Sequence, residues 1–507
     1  MRGQDIPKTR RRSTLDISAE AIDEIASKMT GLVADYFAEI SEHPVFAENY
    51  GGKTTDQLHA QLSQEGVPLE KLVAECRTIM SLSRHNGHPR FFGYVASPST
   101  PIGAYADLVA SALNSNITCW RSGPAGTETE RTVVRWLGEM IGYDENAHGL
   151  LTSGGSMANM IALLIASRRK LGTDVFKKGL WNFGQPLTMY ASEEVHMSIA
   201  KAADILGLGR EQVRSIECDD RMRMNVRSLR RRIEQDVSEG QRPFCIIASA
   251  GTVNTGAVDP LADIATVAAD FNLWFHIDGS YGAPGVLDPS KRGLFVGLAR
   301  ADSVSLDPHK WLYVPVDAGC LLFRDDASAR LAFSTGDADY IKVHGHTDEE
   351  AFAFWDYGVE LSRRFRALKI WLTLRYYGVR RLAEAITEDN SLAQYLENII
   401  QNAEDFELLA PVELSICCFR YVPAEFQVRR QAGSEVEDAM IEEGLDRLNE
   451  RIMSAVQAGG RAYLSNATIH GRFALRICIT NFRTTRADIE ETVEVIREAA
   501  RKVENVR

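Results

Sequence analysis

Between residues 15 and 85, apolar positions recur at intervals of three and four. This spacing places them on one face of an α-helix, because a helix completes a turn every 3.6 residues. We therefore predict an N-terminal helical segment covering residues 1–86. The apolar stripe of its first helix consists of Ile22, Ile25, Met29, Leu32, Val33 and Tyr36.

From residue 87 to residue 395, short continuous apolar runs alternate with segments of helical periodicity. Such runs are typical of strands buried on both faces, and strands interleaved with helices indicate βαβ units in a mainly parallel sheet. We therefore predict a large α/β domain over residues 87–395. Its strand-like runs are Leu187–Ala191, Phe244–Ser249, Leu273–Ile277, Ser303–Leu306 and Gly319–Phe323, and its helices include Ser156–Lys170 and Leu261–Phe271.

The pattern changes again from residue 396 onward. Two isolated strand-like runs, Glu413–Tyr421 and Ala474–Ile479, are followed by a long charged helical segment, Arg486–Val503. This arrangement predicts a small α+β domain over residues 396–507. The predicted fold class is thus α/β, with a mainly parallel central sheet, an N-terminal helical segment and a small C-terminal domain.

Composition narrows the class of protein. Of the 507 residues, 45% are apolar and 25% are charged, which is typical of a folded globular chain. The net charge of −12 would repel a phosphate backbone, so we expect no nucleic-acid partner. No apolar run reaches the roughly 18 residues that span a bilayer, and no apolar core follows the basic opening segment. We therefore expect neither a membrane span nor a secretory signal.

The eight cysteines show no C-x-x-C spacing. This usage favours reduced thiols over a disulfide framework or a zinc site. We therefore expect a cytoplasmic protein without a metal site.

The segments after the predicted strands carry the candidate chemistry, because ligands of such sheets bind beyond the carboxyl ends of the strands. Thr152–Ser156 (TSGGS) opens a helix, where two glycines would let backbone N–H groups approach an anion. A serine before a helix is also an ordinary N-cap, so the segment alone fits a phosphate cradle and a simple cap equally well. Neither a G-x-G-x-x-G motif after a strand nor a G-x-x-x-x-G-K-[ST] motif occurs, which argues against dinucleotide and P-loop sites.

Asp278 and Lys310 follow neighbouring predicted strands. A lysine in a partly dry site becomes a nucleophilic amine that forms Schiff bases, and a buried acid needs a positive partner. Taken singly, a lysine is usually a solvated surface charge, and His196, which follows another strand, is more often a structural histidine. Together, a phosphate cradle, a lysine amine and an acid fit pyridoxal 5′-phosphate, which carries a phosphate, an aldehyde and a ring nitrogen. His196 would supply a stacking partner for its ring.

Longer phrases of the sequence resemble the group II pyridoxal-phosphate-dependent amino-acid decarboxylases, which include aromatic-amino-acid, glutamate and cysteine-sulfinate decarboxylases. The phrases lie in the family's order across nearly the whole chain and are specific as a set. They are His88–Tyr94 (HPRFFGY), Pro124–Glu128 (PAGTE), Thr152–Ser156 (TSGGS), His276–Tyr281 (HIDGSY), Asp307–Trp311 (DPHKW) and Arg363–Lys369 (RRFRALK).

The resemblance implies fold type I of the pyridoxal enzymes, pyridoxal 5′-phosphate as cofactor, and a homodimer with an exchanged N-terminal helical region and active sites at the interface. Lys310 would be the Schiff-base lysine, Asp278 the partner of the pyridine nitrogen and His196 the ring-stacking histidine. Further cofactor contacts would come from Gly155, Ser156, Ser249, Ser280, Asp307 and His309, and substrate contacts from Tyr94, Val95, Thr118, His309 and Arg476.

Tyr340 completes the implied catalytic set. It lies in the polar segment 334–350 (STGDADYIKVHGHTDEE), whose two glycines and lack of an apolar period predict a loop. By itself a tyrosine in such a loop would be a surface residue. The family, however, carries a tyrosine at the matching place, where its phenol protonates the substrate Cα and fixes an amine as the product. Where that tyrosine is phenylalanine, an aldehyde results.

Two departures from the family's pattern concern the pocket. Asp307 stands where the aromatic branch often has an asparagine on the phosphate, and a carboxylate cannot donate a hydrogen bond unless it is protonated. Val95 and Thr118 stand where animal aromatic decarboxylases carry phenylalanine. We therefore expect the phosphate contacts and the pocket lining to differ from those of that branch.

The predicted activity is α-decarboxylation of an L-amino acid to an amine and carbon dioxide, with an aromatic substrate (tyrosine, tryptophan, phenylalanine or dihydroxyphenylalanine) as first choice. One alternative is an acidic substrate (glutamate, aspartate or cysteine sulfinate), for which Arg90, Arg121 and Arg483 are the available clamps. Another is an aromatic aldehyde synthase on the same scaffold. A binding protein without chemistry is disfavoured, because it would have no reason to keep both Lys310 and Asp278.

Overall fold

The computed structural model describes residues 15–46, 52–59, 62, 64–144, 147–172, 175, 178–180, 184–333, 347, 350–427 and 435–505. Contacts between residues divide the chain into two units, Met1–His85 and Asn86–Arg507. Within the described ranges, every helix is too short or too polar to cross a membrane.

The first unit is helical, as predicted. Its described helices are α1 (Ala19–Glu39), α2 (Gly52–Leu58) and α3 (Leu69–Leu82). α1 begins at Ser18, whose side chain accepts a hydrogen bond from the N–H of Ala21 and so satisfies one free amide of the first turn. In this chain much of the apolar stripe of α1 is open to solvent. Ile22 is 53% exposed and Met29 is 36% exposed, whereas Leu32 is buried.

The larger sheet of the second unit contains seven strands among the described residues. They are β1 (His148–Thr152), β2 (Leu187–Ser192), β3 (Val213–Ile216), β4 (Arg242–Ser249), β5 (Trp274–Asp278), β6 (Ser303–Leu306) and β7 (Gly319–Phe323). Their order is β1-β7-β6-β5-β4-β2-β3. The pairs from β6 through β3 are parallel, and β7 runs antiparallel to both of its neighbours. The predicted, mainly parallel sheet is therefore confirmed, with one strand reversed.

Helices connect these strands and cover the sheet, which explains why its central strands are almost wholly buried. They are α4 (Pro101–Leu113), α5 (Pro124–Met140), α6 (Gly155–Leu171), α7 (Ser198–Ile205), α8 (Val226–Ser238), α9 (Leu261–Asp270), α10 (Asp326–Phe333) and α11 (Ala367–Asn402). Short 3-10 turns occur at Arg210–Gln212, Ala283–Leu287, Arg292–Phe295, Leu298–Arg300 and Phe354–Asp356. α11 is interrupted at Gly378, whose φ of 71° lies in the left-handed region that glycine adopts without strain.

A smaller antiparallel sheet follows. Its strands are β8 (Phe406–Leu408), β9 (Ile416–Tyr421), β10 (Ser465–Ile469) and β11 (Arg472–Cys478), in the order β10-β11-β9-β8. Together with α12 (Glu435–Ala458) and α13 (Arg486–Glu504) it encloses a separate apolar cluster that includes Ile452, Leu475 and Ile496. α11 passes through residues 395 and 396, so the predicted boundary between the large and small domains falls inside a helix.

The predicted strand Glu413–Tyr421 is three residues shorter at its start, because β9 begins at Ile416. Glu413 is instead a buried acceptor: its Oε2 accepts the N–H of Val258 at 3.0 Å, and its Oε1 lies 2.9 Å from Arg221. Apolar periodicity could not show this, since both partners lie more than a hundred residues away in the sequence.

Candidate active site

A cavity of about 530 Å³ lies in the second unit, where the carboxyl ends of β1, β2, β4, β5 and β6 meet. This is the edge at which ligands of parallel sheets bind. Most of the predicted site residues line it: Tyr94, Val95, Gly155, Ser156, His196, Ser249, Asp278, Ser280, Asp307, His309, Lys310 and Arg476. Thr118 is not part of the lining, and Tyr340 lies outside the described residues.

Asp278 ends β5 and is 8% exposed. Its Oδ1 accepts hydrogen bonds from the N–H of Ser280 at 3.1 Å and the hydroxyl of Ser305 at 3.2 Å, and its Oδ2 accepts from Asn159 Nδ2 at 2.8 Å. Burial by itself raises the pKa of Asp278, but hydrogen bonding from Ser280 and the positive charge of Lys310 outweigh it and hold the pKa below the ordinary value. The carboxylate therefore stays ionised inside the cavity.

Lys310 lies in the turn that follows β6. Its Nζ is 3.0 Å from Asp307 Oδ2, and its backbone N–H donates to the Asp307 carbonyl at 2.9 Å. Asp307 is buried, and its other oxygen, Oδ1, has no hydrogen-bond partner among the described residues. Because β5 and β6 are adjacent parallel strands, the turn brings the Lys310 amine to the same edge as Asp278. This juxtaposition was expected from the sequence.

His196 follows β2, and Ser198 holds its ring at Nδ1. Its Nδ1 accepts from the backbone N–H of Ser198 at 3.2 Å and lies 2.8 Å from the Ser198 hydroxyl. Burial lowers the pKa of His196; the negative charge of Asp278 opposes this shift and the positive charge of Lys310 adds to it. The ring is therefore mainly neutral near pH 7.

His309, next to Lys310, has its Nδ1 2.7 Å from the carbonyl oxygen of Ala318 and its Nε2 3.8 Å from Asp307 Oδ2. Burial lowers the pKa of His309, although the negative charge of Asp307 opposes the shift. The ring is thus fixed between the strand that follows it and the Asp307 carboxylate.

Gly155 begins α6 where three segments approach closely. A Cβ placed on Gly155 would lie 2.9 Å from Ser280 Cβ and 3.0 Å from Asp307 Oδ2, so a side chain would fill this space. The N–H groups of Gly155 and Ser156 belong to the first turn of α6, where amides have no helical carbonyl to bond and the helix dipole favours an anion. The arrangement favours the phosphate cradle over a simple cap, because the N-cap residue is Gly154, which has no side chain to bond the free amides.

Arg476, on β11, connects the small sheet to the cavity. Its Nε donates to the carbonyl of Val253 at 2.9 Å, and its Nη1 donates to the carbonyl of Tyr94 at 2.8 Å and to Ser465 Oγ at 3.1 Å. Its Nη2 is buried and has no partner among the described residues. The Arg476 guanidinium is therefore held against the backbone at Tyr94 and Val253, where part of the side chain lines the cavity.

Thr118 and Ser249 differ in how closely they approach the cavity. Ser249 ends β4 at the cavity wall, with its backbone N–H donating to the buried Asp259 at 2.7 Å. The carbonyl of Thr118 accepts the N–H of Phe354 at 2.9 Å, and its buried hydroxyl has no hydrogen-bond partner in the described part of the chain. The substrate contact implied for Thr118 stays a prediction.

Three supporting residues were missed by the sequence analysis: Asn159, Ser198 and His276, which hold Asp278 and His196 from behind. A signal existed for two of them. Asn159 lies four residues after Gly155, and therefore on the same face of α6, where a polar side chain interrupts an apolar stripe. His276 lies two residues before Asp278 and therefore points to the same face of β5.

The side chains fit pyridoxal 5′-phosphate. Its aldehyde needs an amine, its ring nitrogen an ionised acid, and its phosphate a space near free backbone amides, and Lys310, Asp278 and Gly155–Ser156 supply these in one cavity.

Comparison with known proteins agrees with this fit. The family described as the pyridoxal-dependent decarboxylase conserved domain matches residues 52–422. An aromatic-L-amino-acid decarboxylase of Bacillus atrophaeus is 34% identical over 490 residues, which cover 96% of this chain and 97% of that protein.

Solved structures show the same fold. Mouse CSAD in apo form is 28% identical with a TM-score of 0.88, covering 95% of this chain and 99% of that one. Oryza sativa TDC with PLP and tryptamine is 27% identical with a TM-score of 0.86, covering 97% of this chain and 99% of that one. The match of the family over nearly three quarters of the sequence, on a fold that carries the cofactor in a relative, means that this chain belongs to the pyridoxal-dependent decarboxylases of group II.

Proposed function

We propose that this carboxy-lyase acts on an aromatic L-amino acid and releases the corresponding amine and carbon dioxide. The observation that carries the proposal is the polarity of the cavity wall. Tyr94, Val95, Met157 and Val253 provide apolar and aromatic surface, and Arg476 is the one arginine in the lining among the described residues. An aromatic side chain needs such a surface and no second cation.

Among the described residues, the acidic alternative has no second arginine in the cavity lining to support it. Of its candidate clamps, Arg90 donates to the carbonyl of Arg461 at 2.8 Å and lies 3.4 Å from Asp488, and Arg483 lies over the ring of Phe482 at 4.5 Å. Neither these two nor Arg121 line the described cavity. The resemblance to the Bacillus atrophaeus aromatic-L-amino-acid decarboxylase also supports the aromatic assignment.

Each part of the cofactor has a proposed holder. Lys310 would bind the aldehyde carbon, Asp278 the ring nitrogen and His196 the ring face, while Gly155 and Ser156 would bind the phosphate. Ser249, Ser280, Asp307 and His309 would complete its surroundings. When bound, pyridoxal phosphate supplies a carbonyl carbon that reacts with amines and a ring that takes up the electron pair left at Cα when carbon dioxide departs.

The protein's own groups would control charge and protons around that ring. Asp278, ionised and fixed by three hydrogen bonds, would keep a proton on the ring nitrogen. Arg476 would contact the substrate carboxylate, and Tyr94, Val95 and Thr118 would contact the substrate side chain. Tyr340, which lies outside the described residues, would deliver the proton to Cα, since a phenol held near that carbon is a general acid of suitable strength.

We also propose a homodimer in the cytoplasm. The exposed apolar stripe of α1, with Ile22, Ile25 and Met29 at 36% exposure or more, supports association with a second copy, because solvent-exposed stripes of this kind are costly unless covered. All eight cysteines are free, which supports a reducing compartment.

The substrate assignment is tested by measuring carbon dioxide and amine release from a panel of the twenty amino acids plus dihydroxyphenylalanine and cysteine sulfinate. We expect the highest kcat/KM for an aromatic member, and none above background for the acidic members. The matched control is Lys310→Ala assayed with the same panel. A higher kcat/KM for glutamate, aspartate or cysteine sulfinate would contradict the proposal.

The product assignment is tested with Tyr340→Phe. We expect wild-type protein to release amine, and the variant to release less amine with more aldehyde, ammonia and peroxide, at unchanged cofactor content. Unchanged amine yield in the variant would remove Tyr340 from the mechanism. Aldehyde as the main wild-type product would favour the synthase alternative.

A further inference from the structure

A chain of hydrogen bonds runs behind the cavity through side chains that are all buried or nearly so. It starts at Trp274, whose indole Nε1 donates to Ser303 Oγ at 2.8 Å. Ser303 Oγ lies 2.9 Å from Nδ1 of His276, and Nε2 of His276 lies 3.0 Å from Oδ1 of Asn159. This first half of the chain joins the start of β5 to the interior of α6.

The second half divides at Asn159. Its amide nitrogen donates one hydrogen to Asp278 Oδ2 at 2.8 Å and the other to Ser198 Oγ at 3.0 Å. Ser198 Oγ in turn lies 2.8 Å from Nδ1 of His196. One amide group therefore contacts both the acid and, through one hydroxyl, the histidine proposed to hold the cofactor ring.

The direction of every link is fixed, although no hydrogen position is observed. At one end an indole N–H can only donate, and at the other an ionised carboxylate can only accept. Burial lowers the pKa of His276 to about 4, so this ring carries one proton, and the acceptor Oδ1 of Asn159 requires that proton on Nε2. Nδ1 of His276 then accepts from Ser303.

The direction continues to His196. Ser198 Oγ accepts from Asn159, so its own hydrogen is available for Nδ1 of His196, which also accepts the backbone N–H of Ser198. Two donors on Nδ1 leave the single proton of the neutral ring on Nε2, for which the described residues offer no hydrogen-bond partner.

We propose that Asn159 is a positioning residue: its amide fixes the Asp278 carboxylate toward the cofactor nitrogen and, through Ser198, sets His196 as the neutral tautomer protonated on Nε2. The proposal rests on the proposed function, in which Asp278 would face the cofactor nitrogen and His196 the face of the cofactor ring. Both effects favour the binding of a positively charged cofactor ring. A protonated His196 would repel a protonated cofactor ring, whereas an ionised Asp278 attracts it.

The charged groups that face His196 shift its pKa in both directions, whereas burial lowers it. Asp278 on β5 and Asp307 after β6 are anionic, and Lys310 in the same turn opposes them. The donors supplied through Asn159 and Ser198 bias the ring toward neutrality, because a nitrogen that accepts two hydrogen bonds resists taking a proton.

Asn159→Asp and Asn159→Leu test the proposal, and Ser198→Ala separates its two branches. Asn159→Asp keeps the shape of the side chain. Its carboxylate would accept a hydrogen bond from Ser198, so the Ser198 hydroxyl would no longer donate to His196, and Asp278 would lose the amide donor. Asn159→Leu removes every bond at similar volume. Ser167→Ala is the matched control, since Ser167 is another buried polar residue of α6, and its hydroxyl donates to the Leu164 carbonyl in the same helix.

Two measurements are made without substrate. The first is the dissociation constant of pyridoxal phosphate from refilled apoprotein, followed by cofactor absorbance. The second is the pH titration of His196 in ¹⁵N-histidine-labelled holoprotein, with the resonance assigned by its absence in His196→Gln. Circular dichroism confirms that each variant is folded.

We expect both Asn159 variants to weaken cofactor binding about tenfold to a hundredfold, as for the loss of a charge-assisted hydrogen bond, and to raise the pKa of His196. Ser198→Ala should raise the His196 pKa but weaken binding less, because Asn159 still bonds Asp278. Ser167→Ala should change neither.

The proposal would be overturned if both Asn159 variants bound pyridoxal phosphate as tightly as wild-type protein and left the pKa of His196 unchanged. It would also be overturned if Ser167→Ala had the same effects as the Asn159 variants. A wild-type protein that binds the cofactor but prefers an acidic amino acid would overturn the substrate assignment alone, because neither measurement involves substrate.

Discussion

Arg363 and Glu130 form a buried ion pair close to the Thr152–Ser156 segment, and breaking it should destabilise the second unit strongly. Arg363 is 3% exposed and Glu130 is 0% exposed. Nη2 of Arg363 donates to Glu130 Oε1 at 2.6 Å and to the carbonyl of Leu151 at 2.8 Å, while Nη1 donates to the carbonyl of Ile117 at 2.9 Å. Leu151 lies on β1, one residue before Thr152, where the TSGGS segment begins.

The perturbation is Arg363→Met, which keeps most of the side-chain volume and removes the charge. It leaves the Glu130 carboxylate buried without a cation, a change that costs about 3–5 kcal/mol. An unfolding entropy of about 2.1 cal/mol/K per residue, applied to the roughly 420 residues of the second unit, converts this cost into a fall in Tm of about 3–6 °C.

The assay is thermal unfolding followed by circular dichroism, at one protein concentration and with saturating cofactor. Arg380→Met is the control, because Arg380 is 90% exposed and its contact with Glu384, at 3.9 Å, is a surface pair worth less than about 1 kcal/mol. Glu130→Gln/Arg363→Met should recover part of the loss, since no buried charge remains unpaired. A Tm for Arg363→Met within 1 °C of wild type, or a double variant as unstable as the sum of the single ones, would refute the reasoning.

Three further predictions concern the cavity and its support. Lys310→Ala should remain folded, bind pyridoxal phosphate weakly and turn over almost no substrate. Borohydride reduction and peptide mapping of wild-type protein should place the cofactor on Lys310, and a label on another lysine would contradict this. Asp278→Asn should lower kcat by about 10²–10³ while weakening cofactor binding less, as judged by steady-state kinetics beside cofactor titration; near-normal turnover would show that another group faces the ring nitrogen. Burial raises the pKa of Asp389 to about 7 despite hydrogen bonds from Tyr313 and Trp311, so folding favours its protonated form. Tm should therefore fall as pH rises from 5.5 to 8, and Asp389→Asn should reduce this dependence of Tm on pH. An equal dependence in wild type and variant would assign the effect to other groups.

The parts of the fold that were predictable from sequence are those buried on both faces. β6 and β7 have the predicted bounds, and β4 and β5 differ by one or two residues, because short segments rich in apolar residues mark such strands clearly. β3 was missed because it is a short edge strand whose first three residues are partly exposed. β10 was missed because its buried positions alternate with exposed Asn466 and Thr468, and the buried ones include Ser465 and Ala467.

The same contrast holds for the site. Lys310, Asp278 and His196 could be found because each follows a strand, and strand ends of a parallel sheet converge. Asn159 and Ser198 could not be assigned a role in this way, since their contacts join α6, α7 and β5 across up to 119 residues of sequence. The side chains proposed to carry the chemistry were predicted to lie together, as they do in one cavity, whereas those that orient them required three-dimensional contacts.

The hydrogen bonds from Trp274 to His196 each have a fixed donor and acceptor, and this constrains which substitutions the sequence can accept. A substitution that turns one donor into an acceptor reverses the next link, so it is tolerated only when a neighbouring member changes to match. Positions 159, 198, 276 and 303 should therefore vary together among descendants of this gene, as correlated exchanges and not as independent drift. A library that randomises these four positions jointly would contain functional combinations that no series of single steps can reach.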